Sequence, residues 1–219
     1  MTLENKQFTP AQIHRLTGAF HRGAAEAADA LHRWLSVSTE ISIEGVDQCP
    51  LEAATSVLSE MGETVCMCVM RMEGTLTGQM ILAFDDPSGL VLADLLLGKP
   101  GGTSTEWGEL EISSSLESMN IIGSAYLNGI ARYLSVENQP PVTLIPSPPL
   151  FLRDFVESLL ESAFVEQAQA GSQIVFAKAR FQMSGNPLRW TFLLIPDPDS
   201  LHRLSELLLT PASDSGGGT

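Results

Sequence analysis

Basic residues are scarce in this chain. Against 26 Asp and Glu there are 12 Lys and Arg, a formal charge of −14 at pH 7. Phosphate backbones repel such a surface, so nucleic acid is not an expected partner. Simple solubility, or docking to a protein with a basic patch, fits the charge. Cysteine is almost absent. Cys49, Cys66 and Cys68 are an odd number without a CxxC pair. Cys66 and Cys68 stand two apart in a strand-like run and so share a face, which suits a buried pair of thiols better than a disulfide. No further metal ligands gather near them, and no metal site is expected. Long apolar runs are missing as well: none approaches ~18 residues, and no basic-then-apolar leader opens the chain. The expected setting is a reducing cytoplasm, away from membranes. The G-x-S-x-G, H-E-x-x-H and G-x-G-x-x-G signatures are all missing. "GKPGGTST" (98–105) follows a helical pattern rather than a strand and lacks the glycine–lysine spacing of a phosphate loop.

What the sequence does have is a core and a repeat. Hydrophobic residues make up 44% of the 219, enough for one mid-sized domain. Thr9-Pro10-Ala11-Gln12 spells a capping box with proline at the first helical position, opening a helix that runs to about Leu35. A strand-like "VSTEISIEGV" (37–46) and a short helix "PLEAATSVLSEMG" follow. The strands "ETVCMCVMRM" and "TLTGQMILAF" meet at a Glu73-Gly74 turn, and the helix "DPSGLVLADLLLG" ends the half. The second half has the same order. A helix covers about 109–135, "PPVTLIPSP" reads as a strand, and "LFLRDFVESLLESAFVEQAQ" has helical periodicity. "SQIVFAKARFQM" and "LRWTFLLIP" are joined at Ser184-Gly185-Asn186-Pro187, and "DPDSLHRLSELLL" closes the unit.

These patterns predict an α+β fold of tandem αβαββα repeats with internal pseudo-twofold symmetry, its one mostly antiparallel sheet flanked by helices. The single domain spans 1–210, with repeat one at about 9–98, repeat two at about 107–210 and a disordered low-complexity tail at 211–219. "RWLSV" at 33–37 and "RYLSV" at 132–136 suggest an offset of 99 between the halves. On that offset Ile13 and Ile112, Phe20 and Met119, Leu31 and Ile130, and Trp34 and Tyr133 correspond as core positions. Ser113, Glu117 and Asn120, at i, i+4 and i+7, lie on a second face of the later helix. Their counterparts on that offset are His14, Gly18 and His21. Glu-x-x-Asn alone is too short to specify chemistry.

The residues around it are more specific. "SSLESMNIIGSAYLNGIARYL" resembles the signature helix of the CheC/CheX/FliY-type chemotaxis phosphatases, Asp/Ser-x-x-x-Glu-x-x-Asn followed by a small-residue, Tyr-Leu-Asn-like stretch. The likeness extends more loosely over about 9–210. It implies hydrolysis of the aspartyl phosphate on a CheY-like response-regulator receiver domain. Glu117 and Asn120 would be catalytic: Glu117 pairs with a receiver lysine and Asn120 orients the attacking water. Ser113 would make a lesser substrate contact. The chain would need no cofactor of its own, since Mg²⁺ belongs to the receiver. A CheD-like protein is an implied auxiliary partner. Gly123 and Ser124 suit either close approach by a partner or tight packing within the chain. The first half, with Gly18 for Glu and His21 for Asn, reads as inactive. The alternative functions are a non-catalytic scaffold, like the middle domain of flagellar switch proteins, and a binding-only sensor of phosphorylated receivers.

Overall fold

The computed structural model describes residues 7–36, 38–50, 53–136, 139–163, 173–183 and 185–209; the expected tail at 211–219 lies outside them. Thirteen elements follow in order: α1 (Pro10–Leu35), β1 (Thr39–Pro50), α2 (Ala54–Ser59), β2 (Thr64–Gly74), β3 (Gly78–Phe84), α3 (Asp86–Leu96), α4 (Glu109–Leu134), β4 (Leu144–Pro146), β5 (Leu150–Phe155), α5 (Val156–Ala163), β6 (Gln173–Met183), β7 (Asn186–Pro196) and α6 (Pro198–Leu207). The capping box forms as the sequence predicts. The Thr9 side chain accepts from the Gln12 N–H, and Gln12 Oε1 accepts from the Thr9 N–H at 2.8 Å. Gln12 Nε2 also donates to the Ser205 carbonyl at 2.9 Å, tying the first helix to the last.

All strand pairs are antiparallel, in the order β1-β6-β7-β3-β2-β4, with β5 also on β2. Exchanging β1 with β4/β5, β2 with β6 and β3 with β7 reverses that order and leaves it unchanged. The sheet therefore has the expected pseudo-twofold arrangement. Side chains alternate across it. Cys66, Cys68, Met70, Ala177, Ala179 and Phe181 face the main core with α1 and α4. Val65, Met67, Ile81, Leu193 and Ile195 join a second core with Leu58 of α2 and Val156 and Leu159 of α5. Lys178 and Arg180 point away from the main core and reach Glu60 and Glu44.

Three expectations are corrected. Residues 150–155 are not the start of a helix: Leu150 to Phe155 pair with Val69 to Thr64 of β2, and α5 begins only at Val156. The expected continuation to 169 runs into residues outside those described. The expected strand over 140–148 is limited to Leu144–Pro146, because Pro146, Pro148 and Pro149 cannot donate to a ladder. Across this break Ser147 holds β2 from both sides, its N–H donating to the Arg71 carbonyl at 2.8 Å and its hydroxyl accepting from the Arg71 N–H at 3.0 Å. Trp34, expected in the core, is 43% exposed; it turns outward between the fully buried Leu31 and Leu35, which still packs on the core.

α1 and α4 cross at glycines. A Cβ on Gly129 would lie 2.7 Å from Gly23 Cα and 2.8 Å from the Arg22 carbonyl oxygen, and backbone cannot give way as a flexible side chain can. Beside this contact Tyr126 meets Phe20 edge-on at 5.7 Å and stacks on Phe192 of β7 at 4.2 Å. Gly129→Ala is expected to cost about 1–3 kcal/mol by overpacking and to lower the melting temperature by roughly 3–10 °C in a thermal unfolding scan.

A second fixture joins α3, β2, β5 and the segment before α4. The Asp86 carboxylate accepts from Arg153 Nε at 2.8 Å and Nη2 at 2.7 Å, from Trp107 Nε1 at 2.8 Å and from Cys66 Sγ at 3.1 Å. Arg153, with help from Trp107 and Cys66, outweighs desolvation and holds the Asp86 carboxyl down at about 2. Burial, then Asp86 itself, pushes the Cys66 thiol far up, so it stays protonated and donates. Because the folded state depresses the Asp86 pKa, its stabilisation is complete above the ordinary carboxylate value. It is lost as pH falls through about 2. Asp86→Asn is expected to cost about 1–2 kcal/mol at neutral pH, and the cost should shrink towards pH 2 in denaturant titrations.

Candidate functional site

α4 is amphipathic, and its two sides are clearly separated. Ser115, Ser118, Met119, Ile122, Gly123, Tyr126, Leu127 and Ile130 are buried. Ser113, Glu117 and Asn120 are exposed. None of these three side chains has a hydrogen-bond or ion-pair partner among the described residues. Three residues along a helix is about 4.5 Å of rise, so the Glu117 carboxylate and the Asn120 amide stand side by side and uncommitted.

Their position is fixed from beneath. Gly123 lies against the Met70 sulfur and Met80 Cε of the sheet, with no room for a Cβ. Of the two readings of this glycine, tight internal packing is the one that holds. Ser124 is half-buried at the edge of the exposed row. At the other end of α4 the residues before it are strapped down. Lys99 Nζ donates to Glu111 Oε1 at 3.0 Å, and Ser104 Oγ donates to the same oxygen at 3.1 Å. The fully buried Asp94 accepts from the Thr103 N–H at 2.7 Å and the Ser104 N–H at 3.0 Å. Burial pushes the Asp94 carboxyl up, but the donors of Ser104, Thr103 and Gly102 outweigh this and hold it below the usual range. "GKPGGTST" is thus a latch built on a carboxylate. The sequence signal was Asp94 itself, an acid among the leucines of "LADLLLG".

The first half is matched as the pentapeptide identities suggest. α1 and α4 begin 99 residues apart and end 99 residues apart. Buried Leu16, Ala19, Phe20, Gly23, Ala24, Ala27 and Leu31 correspond on that offset to buried Ser115, Ser118, Met119, Ile122, Gly123, Tyr126 and Ile130. β1 and the β4/β5 edge differ by 105, between Thr39 and Leu144 and between Pro50 and Phe155, because the connection after α4 is six residues longer than the one after α1. Gly18 and His21 therefore stand where Glu117 and Asn120 do, and the first face lacks the pair. Gly18 has another task. It lies under the Tyr133 hydroxyl, where any larger residue would displace the ring. His14 and His21 are both exposed, about 10.5 Å apart along the helix axis, too far to share one metal ion.

The acid–amide stripe on a buried-backed helix can be compared with known proteins. No family model matches the sequence. It is similar to the CheY-P phosphatase CheC of Bacillus subtilis (strain 168), at 23% identity over 186 residues, which cover 83% of this chain and 86% of the relative. The fold is similar to that of Thermotoga maritima FliY, with a TM-score of 0.75 and 17% identity over 93% of this chain and 98% of the other. It is also similar to the FliM middle domain from H. pylori, with a TM-score of 0.64 and 13% identity over 91% and 99%. The structural likenesses speak for the fold, and the CheC likeness spans both repeats. Together with the signature helix, they support a likeness to the CheC/CheX/FliY-type chemotaxis family in sequence and fold.

Proposed function

We propose that this chain removes phosphate from the aspartyl phosphate of a CheY-like receiver domain, using the Glu117–Asn120 face of α4. The observation that carries the proposal is that both side chains are exposed and, among the described residues, free of internal partners, on a helix fixed from behind. An acyl phosphate is already reactive, and its transition state is loose, so a strong base adds little. What accelerates it is a water held in line with phosphorus. The Asn120 amide can accept from that water through Oδ1 and donate to a phosphoryl oxygen through Nδ2. Attack forms the new P–O bond, the bond to the receiver's aspartate breaks, and inorganic phosphate leaves. Glu117 pairs with a receiver lysine and sets the register. Ser113, one turn earlier, adds a polar contact. Mg²⁺ would come bound to the receiver.

A scaffold function is the second reading. It is favoured by the likeness of fold to a FliM middle domain and by the loss of the pair from the first face. The two readings part on turnover. Decay of a phosphorylated receiver should speed up with the wild-type protein. Asn120→Ala should cut kcat on the order of 100-fold with little change in binding. Glu117→Ala should raise the dissociation constant by about fivefold or less, the worth of an exposed ion pair, and also lower the rate. Binding without acceleration by the wild type would leave the scaffold reading; wild-type rates in Asn120→Ala would remove Asn120 from the chemistry.

A further inference from the structure

We infer that Leu110 is the apolar anchor by which this face holds the phosphorylated receiver, an inference that rests on the phosphatase reading. Leu110 is 65% exposed, and among the described residues it is the one large apolar side chain of α4 that is exposed. Ile112, Leu116 and Ile121 are half-buried, and Met119, Ile122, Leu127, Ile130 and Leu134 are buried. Leu110 precedes Glu117 by seven residues, about 10.5 Å along the axis and only about 20° around it. Ile121 follows Glu117 by four on the same side. The carboxylate thus stands between two apolar side chains, with Asn120 beside the second.

Affinity considerations give this arrangement a purpose. A solvent-exposed ion pair strengthens binding by no more than about fivefold. That falls orders of magnitude short of micromolar association, so Glu117 cannot hold a receiver by charge alone. Burying a leucine contributes roughly tenfold or more. An apolar contact beside the ion pair also keeps bulk water from it, as the surroundings of an interface hot spot do. The fitting partner surface is an apolar patch next to the receiver's phosphorylation pocket, about two helical turns from the lysine that meets Glu117.

The test compares wild type, Leu110→Ser, Leu110→Met and Asn120→Ala in steady-state hydrolysis of a phosphorylated receiver. Binding to that receiver is measured in the Asn120→Ala background, with and without Leu110→Ser. Leu110→Ser is expected to raise KM and the dissociation constant roughly tenfold while kcat stays within about twofold, and Leu110→Met should restore both. Because the side chain is mostly exposed, thermal unfolding should be unchanged, separating lost docking from lost folding. Unchanged KM and binding in Leu110→Ser, with Asn120→Ala inactive, would overturn the anchor and leave the phosphatase reading standing. A fall in kcat at constant binding would equally overturn it. No acceleration by wild type removes both.

Discussion

The contact between α1 and α4 at Gly23 and Gly129 is the constraint on which the rest of the molecule depends. Two helices brought to backbone contact leave little freedom in rotation, because any turn of α4 would drive a side chain into the Gly23 backbone. Tyr126, between Phe20 and Phe192, then fixes α4 against both its partner helix and the sheet. With one side of α4 so determined, the opposite side follows by geometry. Ser113, Glu117 and Asn120 are outward because Met119, Ile122 and Tyr126 are inward. The Asp94 latch and the Asp86 cluster then secure the approach to the first turn of α4.

This division also separates the two halves. The core was kept in both, and the solvent rows were not. α1 carries Gly18 and His21 where α4 carries Glu117 and Asn120. Packing at the twofold axis needs glycine and aromatic residues on both helices, whereas the proposed chemistry needs a carboxylate and an amide on one only. A fold shared with FliY and FliM middle domains accommodates either outcome, since nothing in the core refers to the outer row.

Much of this was legible in the residues. Thr9-Pro10-Ala11-Gln12 specified the start of α1 through local hydrogen bonds, and "FAKARFQ" specified a half-buried strand through alternation; both forms are decided within a few residues. The outward stripe of α4 followed from helical spacing. What failed was decided at long range. Leu150, Leu152 and Phe155 read as helical because they precede a helix, yet the open edge of β2 recruited them as a strand. Trp34 shows the same limit: its place near the apolar face did not decide whether the layer above would cover it.

The prolines that break the β4/β5 edge have a consequence for self-association. An exposed sheet border invites another chain to extend it, and a run of seven antiparallel strands would be a ready template for fibrils. Pro146, Pro148 and Pro149 withhold three donors where a newcomer would need them, and Ser147 is already occupied with Arg71. The opposite border, β1, has a bulge at Ile43/Gly45 and the charges of Glu40, Glu44 and Asp47. Both rims thereby carry features that disfavour strand addition, and self-association through the sheet border is discouraged.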